Sequence, residues 1–164
     1  MLWVRAGVNV APLRQGGTGS ASESMFQPRM MPDCLESGTL NLPGIAGLAA
    51  GMNEALVHMD ETHAHIVRLC DMLRAELLNI RGVRVYTRPG ASLVSFNVEG
   101  VGSQETAAML NRAGIAVRGG LHCAPGVHRF LGTLDVGAVR VSPGIYNMRE
   151  DMTALARAVE KMAK

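Results

Sequence analysis

Lysine is almost missing from this chain: of 164 residues, only Lys161 and Lys164 are lysine, both at the extreme C-terminus. The positive charge is therefore nearly all arginine, the side chain better suited to holding carboxylates and phosphates in a fixed fork. The formal net charge is only +2, too little for a nucleic-acid-binding surface. No apolar run reaches the length of about 18 residues needed for a membrane span. The opening Met1-Leu2-Trp3-Val4-Arg5 turns polar too soon for a signal peptide. Three cysteines, Cys34, Cys70 and Cys123, stand far apart with no CxxC pair. That excludes a zinc ribbon, argues against a disulfide framework, and points to a reducing, cytoplasmic setting.

What is present is enough for a core. Hydrophobic residues make up 48% of the chain, so global disorder is excluded. Residues 2–5 and 8–13 read as short extended segments. Gln15-Gly16-Gly17-Thr18-Gly19-Ser20-Ala21-Ser22 is too rich in glycine for regular structure, and irregularity continues to Pro43. A stretch of this length without its own elements packs on something else or carries function.

From Pro43 the pattern turns helical, with Ile66, Leu69, Cys70, Leu73, Leu77 and Ile80 on one stripe and Gly82 as its stop. Segments 83–87 and 92–98 read as strands about a turn at Arg88-Pro89-Gly90-Ala91, with Val94, Phe96 and Val98 on one face. Ser103 is placed to cap a helix to about Arg112, stopped by Gly114. Residues 115–117 read as a short strand, 118–137 as mostly loop with a helical turn near 127–131, and 138–141 as a further strand. Asn147 and Glu150 suggest a capping box for a final helix with Met148, Met152, Leu155, Val159 and Met162 inward. The expected fold is α+β: a mostly antiparallel sheet with helices on one face.

Three segments carry candidate chemistry. In Arg118-Gly119-Gly120-Leu121-His122-Cys123-Ala124-Pro125-Gly126, glycines and a proline put the cysteine on a loop, where Arg118 and His122 could stabilise a thiolate; the alternative is a small residue buried at a turn. Arg140 interrupts the apolar Val139-Arg140-Val141 and needs an anionic partner. A bound carboxylate held bidentately and a structural acid serve that need equally. Gly16-Gly17-Thr18-Gly19-Ser20 could form an anion nest, although it matches neither a P-loop nor GxGxxG. His58, His63 and His65 lack the i,i+4 spacing of a helical metal pair and read as solvated surface; no metal is expected. Cys70 lies on the buried stripe.

Taken together, Gly16-Gly17-Thr18-Gly19-Ser20, Leu35-Glu36-Ser37-Gly38-Thr39-Leu40-Asn41-Leu42-Pro43-Gly44-Ile45, Arg118 to Pro125, and Arg140-Val141-Ser142-Pro143 resemble the C-terminal portion of cysteine desulfurases. The closest group includes selenocysteine lyases, within the class V aminotransferase superfamily. The resemblance implies a fold-type I, pyridoxal-phosphate (PLP) enzyme working as a homodimer on L-cysteine or selenocysteine, with a sulfur acceptor protein as a further partner. Residues 1–43 would end the large cofactor domain, 44–82 would form a connecting helical region, and 83–164 would be the small domain. Cys123 would receive the sulfur as a persulfide and alanine would leave. Arg140 would grip the substrate carboxylate, with Arg118 and His122 orienting Cys123. Thr39 would reach the PLP phosphate of the other subunit, and Gly16, Gly17 and Thr18 would shape that contact. The family also requires a lysine to anchor PLP, and neither Lys161 nor Lys164 stands in such a motif. The chain alone is therefore expected to be inactive, with an exposed apolar surface where the large domain docks. A stand-alone interaction domain or a sulfur carrier derived from this fold is the competing reading.

Overall fold

A computed structural model describes residues 2–17 and 19–163. Lys164 lies outside these. The chain divides into two compact units, Met1–Val57 and His58–Lys164, each taken by itself below. No helix among the described residues is long and apolar enough to cross a membrane.

The first unit contains no strand among its described residues; the segments 2–5 and 8–13, read above as extended, find no ladder partner. Two short 3-10 turns, Gly19–Ala21 and Asp33–Leu35, precede helix α1, Leu42–Val57. The helix starts where the sequence provides a cap: the Asn41 side-chain oxygen accepts the Gly44 N–H at 3.0 Å, satisfying one of the orphan donors of the first turn. No residue of α1 is buried, and Leu42, Ile45, Leu48, Met52 and Leu56 form an exposed apolar ridge.

The second unit opens with α2, Met59–Leu78. The single helix suggested from Pro43 is thus two, broken at His58. The end of α2 also precedes Gly82 and is capped at Asn79. Then come β1 (Val83–Val85), β2 (Val94–Val98), α3 (Ser103–Arg112), β3 (Arg118–Gly120), α4 (Pro125–Leu131), β4 (Ala138–Val141) and α5 (Arg149–Met162). The four strands form one sheet in the order β1-β2-β4-β3, with every neighbouring pair antiparallel.

Strand alternation divides the sheet into two chemistries. Val94, Phe96 and Val98 of β2 and Val139 and Val141 of β4 join Leu69, Cys70, Leu73 and Leu77 of α2, Leu110 of α3, and Met152, Leu155 and Val159 of α5 in one buried cluster. The opposite face carries the off-phase residues: Ser95 faces Arg140 and Arg84 faces Asn97 in the ladder. The α+β architecture, with helices α2, α3 and α5 over one face of an antiparallel sheet, is the expected one.

Local details differ from the sequence reading. Residues 115–117 form no strand; the edge strand is Arg118–Gly120. Gly102, not Ser103, is the N-cap of α3, because the Ser103 hydroxyl is turned to the Val136 carbonyl instead. The capping box of α5 is shifted by one residue: the Asp151 carboxylate accepts the Met148 N–H and the Asn147 amide, each at 3.0 Å. Met148 is correspondingly exposed rather than inward. His65 is not a solvated surface residue either, since its Nε2 lies 2.9 Å from the Asn147 carbonyl and donates to it.

Candidate active site

The second unit brings together Arg118, His122, Cys123 and Arg140. Arg118 and Arg140 stand opposite each other in the β3–β4 ladder, and Gly120 stands opposite Ala138. Like charges directly opposite are unfavourable, and among the described residues no carboxylate pairs with either guanidinium. The Arg140 Nε–H is buried and has no acceptor. The structural-acid explanation for Arg140 is therefore not realised among the described residues of this unit, and the guanidinium keeps donor capacity that an anion could take up.

Edge strand β3 fits only because residue 119 is glycine. A Cβ on Gly119 would run into the Ser103 carbonyl, and one on Gly137 would lie 2.6 Å from the Gly120 carbonyl carbon. After Gly120 the chain reverses: the Ala124 N–H bonds the Leu121 carbonyl at 2.9 Å. Both residues between, His122 and Cys123, have left-handed backbones, φ 53° and 57°. Such turns are usually made by glycine or asparagine, and each non-glycine residue there costs about 1 kcal/mol or more. The turn leaves the Cys123 side exposed. Pro125 at the first position then starts α4, and Gly132, φ 69°, closes it.

The His122 imidazole turns back onto the sheet. Its Nε2 is 2.9 Å from the Ala138 carbonyl oxygen; a carbonyl only accepts, so Nε2 carries the proton. Nδ1 is then a buried lone pair, and it has no partner. Burial pushes the His122 pKa below its ordinary value, the Ala138 bond opposes this, and the neighbouring Arg140, Arg118 and His128 push it further down. His128 is buried in α4, its Nδ1 2.8 Å from the Thr133 hydroxyl, with its ring centroid 6.0 Å from that of His122.

Asn97 is a polar residue of this face that no sequence motif marks. Its amide donates to the Gly137 carbonyl at 2.9 Å and to the Tyr86 hydroxyl at 3.2 Å, while its Oδ1 is buried without a partner. The Arg84 guanidinium lies 5.4 Å from the Tyr86 ring centroid. The available signal was the phase of Val94-Ser95-Phe96-Asn97-Val98, where polar residues alternate with core ones. A cleft of about 660 Å³ opens beside Arg84, Tyr86, Asn97 and Glu99, and neither Cys123 nor Arg140 lines it.

The first unit gathers the other residues singled out above. The Gly38 N–H bonds the Gly17 carbonyl at 2.9 Å, and the Gly16 N–H donates to the Gln27 side chain at 3.2 Å. Gln27 also donates to the carbonyls of Asp33 at 2.6 Å and Glu36 at 3.3 Å. Gly16 and Gly17 are thereby tied to the segment that carries Thr39. Thr18 lies outside the described residues. Of the remaining cysteines, Cys70 is buried in the core, where burial and the nearby Asp71 push its thiol up to about 11, and Cys34 is half-buried with its sulfur 3.3 Å from that of Met31.

Among the described residues no group of three or more His, Cys, Asp or Glu could hold a metal. Nor do the residues present fit the covalent anchoring of a PLP group. Among the described residues the sheet face of Arg140 offers guanidinium and imidazole but no amine; Lys161 is exposed on α5, whose buried residues join the core cluster on the other face. What this face presents is two guanidinium groups and an imidazole with no carboxylate paired to either guanidinium among the described residues.

Comparison with known proteins places the chain in one family. The family described as Aminotransferase class-V matches residues 1–155. A probable cysteine desulfurase from Pseudomonas putida is 37% identical over 134 residues, covering 81% of this chain and 33% of that protein. One from Xylella fastidiosa is 31% identical over 170 residues, covering 99% of this chain and 40% of that protein. Among solved structures, a NifS-like protein superimposes with a TM-score of 0.77 at 26% identity over 98% of this chain and 40% of that one. A cysteine desulfurase from Escherichia coli gives 0.76 at 28% identity over 92% and 38%. The chain thus spans about two-fifths or less of the length of these relatives.

Proposed function

Because the chain belongs to the class V aminotransferase family, and its relatives are named cysteine desulfurases, we propose that it is the C-terminal part of a PLP-dependent cysteine desulfurase. In that reaction the Cys123 thiol takes the sulfur of L-cysteine as a persulfide, and the remaining three-carbon unit, having gained the proton, leaves as alanine. PLP supplies the electron sink for breaking the carbon–sulfur bond. The residues of this chain bind and receive: Arg140 holds the substrate carboxylate, Arg118 adds a second positive charge, and His122 orients Cys123.

In the same reading, residues 1–43 end the large cofactor domain, 44–82 form the connecting helical region, and 83–164 form the small domain. Thr39, with Gly16, Gly17 and Thr18, meets the PLP phosphate of the other subunit in a cytoplasmic homodimer. Selenocysteine is the alternative substrate, and an acceptor protein removes the sulfur. With no lysine on the Arg140 face among the described residues, the chain alone releases no alanine.

One observation carries this reading: an exposed thiol on a left-handed turn, bonded through His122 to the strand bearing an arginine whose Nε has no acceptor. The test is mass spectrometry of the chain after exposure to cysteine persulfide as sulfur donor. Cys123 gains one sulfur, Cys70 does not, and Arg140→Gln slows the gain. Sulfur on Cys34 with Cys123 unchanged would overturn the proposal. Alanine formed from L-cysteine and PLP by this chain alone would overturn the inactivity.

A further inference from the structure

We propose that His122 is a positioning residue: its Nε2–H bond to the Ala138 carbonyl pins the Cys123 turn to the strand that carries Arg140, and so sets the thiol against the carboxylate-binding guanidinium. This rests on Cys123 being the sulfur acceptor and Arg140 the carboxylate site.

The turn needs such a pin. Two successive non-glycine residues in left-handed conformation, His122 and Cys123, are held against their own preference. Within the turn the backbone offers the single bond from Ala124 to Leu121. The imidazole adds one to β4, at 2.9 Å, from a ring whose other nitrogen is buried and unpartnered. Ala138 and Arg140 are two residues apart on one strand, about 7 Å along it. The ring's anchor and the guanidinium are thus parts of one rigid element, and losing the bond frees the thiol from the arginine without touching either.

The charged and titratable groups around the ring come from three elements: Arg140 of β4, Arg118 of β3 and His128 of α4. All three disfavour a second proton on the ring. The pin is therefore a neutral N–H donor, and a neutral amide at the same reach can replace it.

Two alkylating agents of similar shape test this on the intact chain: iodoacetate, which carries a carboxylate, and iodoacetamide, which does not. In both, the Cys123 sulfur displaces iodide, and peptide mass spectrometry isolates the Cys123 rate from that of Cys34. The readout is the iodoacetate-to-iodoacetamide rate ratio. Arg140→Gln lowers it about fivefold, the size of one screened charge a few ångströms from the reacting atom. His122→Leu lowers the ratio to a similar degree, and His122→Gln, whose amide N–H can reach Ala138, restores it. Should His122→Leu not fold, His122→Asn, polar but too short to reach, gives the same comparison. A merely structural histidine changes both rates together and leaves the ratio at its wild-type value; that result overturns the positioning role while the function stands. If Arg140→Gln itself leaves the ratio unchanged, the pairing of Cys123 with Arg140 fails, and the proposed function with it.

Discussion

Replacing Gly137 with alanine separates two costs that glycine avoids here. Gly137 has φ 65°, and a Cβ there would lie 2.6 Å from the carbonyl carbon and 2.7 Å from the carbonyl oxygen of Gly120. Gly90 has φ 79° with nothing within 4 Å of its Cβ position, so Gly90→Ala meets only the left-handed penalty, about 1 kcal/mol. Gly137→Ala meets that penalty and a clash against backbone, which no rotamer change can relieve. Forced overpacking typically adds about 1–3 kcal/mol, for a total of about 2–4 kcal/mol. Against a typical domain stability of about 5–15 kcal/mol the variant still folds, but with a lower midpoint in urea. Far-UV circular dichroism is the suitable probe, because the single tryptophan, Trp3, belongs to the first unit. The displaced atoms belong to Gly120, two residues before His122, so Gly137→Ala also slows sulfur uptake at Cys123 while Gly90→Ala does not. A Gly137→Ala variant as stable as Gly90→Ala would refute the close approach of Gly137 to Gly120.

Cys70, its thiol pushed up to about 11 from an ordinary 9.0, resists alkylation in the native state while Cys123 reacts. The thiol's raised pKa contributes stability fully present below pH 9.0 and lost as pH rises toward about 11, which a urea series across that range shows as a fall that Cys70→Ala lacks. His122 has the opposite sign: its pKa is depressed below 6.5, so its contribution is present above pH 6.5 and lost as pH falls through the folded value. Acid titration of stability in His122→Gln against the wild type isolates that loss. Leu73 is fully buried at the centre of the cluster, and Leu73→Ala costs about 2–5 kcal/mol in the same urea assay.

The buried half of the fold was legible because hydrophobic period reports burial directly. The stripe through Leu69, Leu73 and Leu77 and the alternation through Val94, Phe96 and Val98 both lead to residues in the core. Boundaries were less legible where side chains choose between backbone partners. Ser103 could cap α3 but bonds the Val136 carbonyl, and Asp151 rather than Glu150 reaches back to Met148. The edge strand was misplaced for a related reason. Ile115, Ala116 and Val117 have strand-like side chains, whereas Arg118-Gly119-Gly120 has almost none; yet only glycine at 119 lets the chain approach Ser103 closely enough to pair with β4. Close approach is a property of two segments together, and local propensity does not contain it. For the candidate site, Cys123, His122, Arg118 and Arg140 stand out in the sequence by residue type and neighbours. The left-handed backbone at 122 and 123 and the bond from His122 to Ala138 do not, since neither leaves a mark in residue type.

Strand β4 shows why the core and the site cannot be altered independently. Val139 and Val141 are buried against the helices, while Arg140 turns its side chain to the other face and the Ala138 backbone carbonyl receives His122. Packing on one side therefore sets the strand's position, and the strand's position sets both the Arg140 guanidinium and the anchor of the Cys123 turn. Dense interiors transmit displacement rather than absorbing it. A lost methyl group under Val139 or Val141 would move Arg140 and the Ala138 carbonyl together, preserving their mutual distance while shifting both against β3. The arrangement keeps the Arg140 guanidinium and the anchor of the Cys123 turn in register by building them on one strand, and the turn between Gly120 and Ala124 is tied to that strand by the His122 side chain.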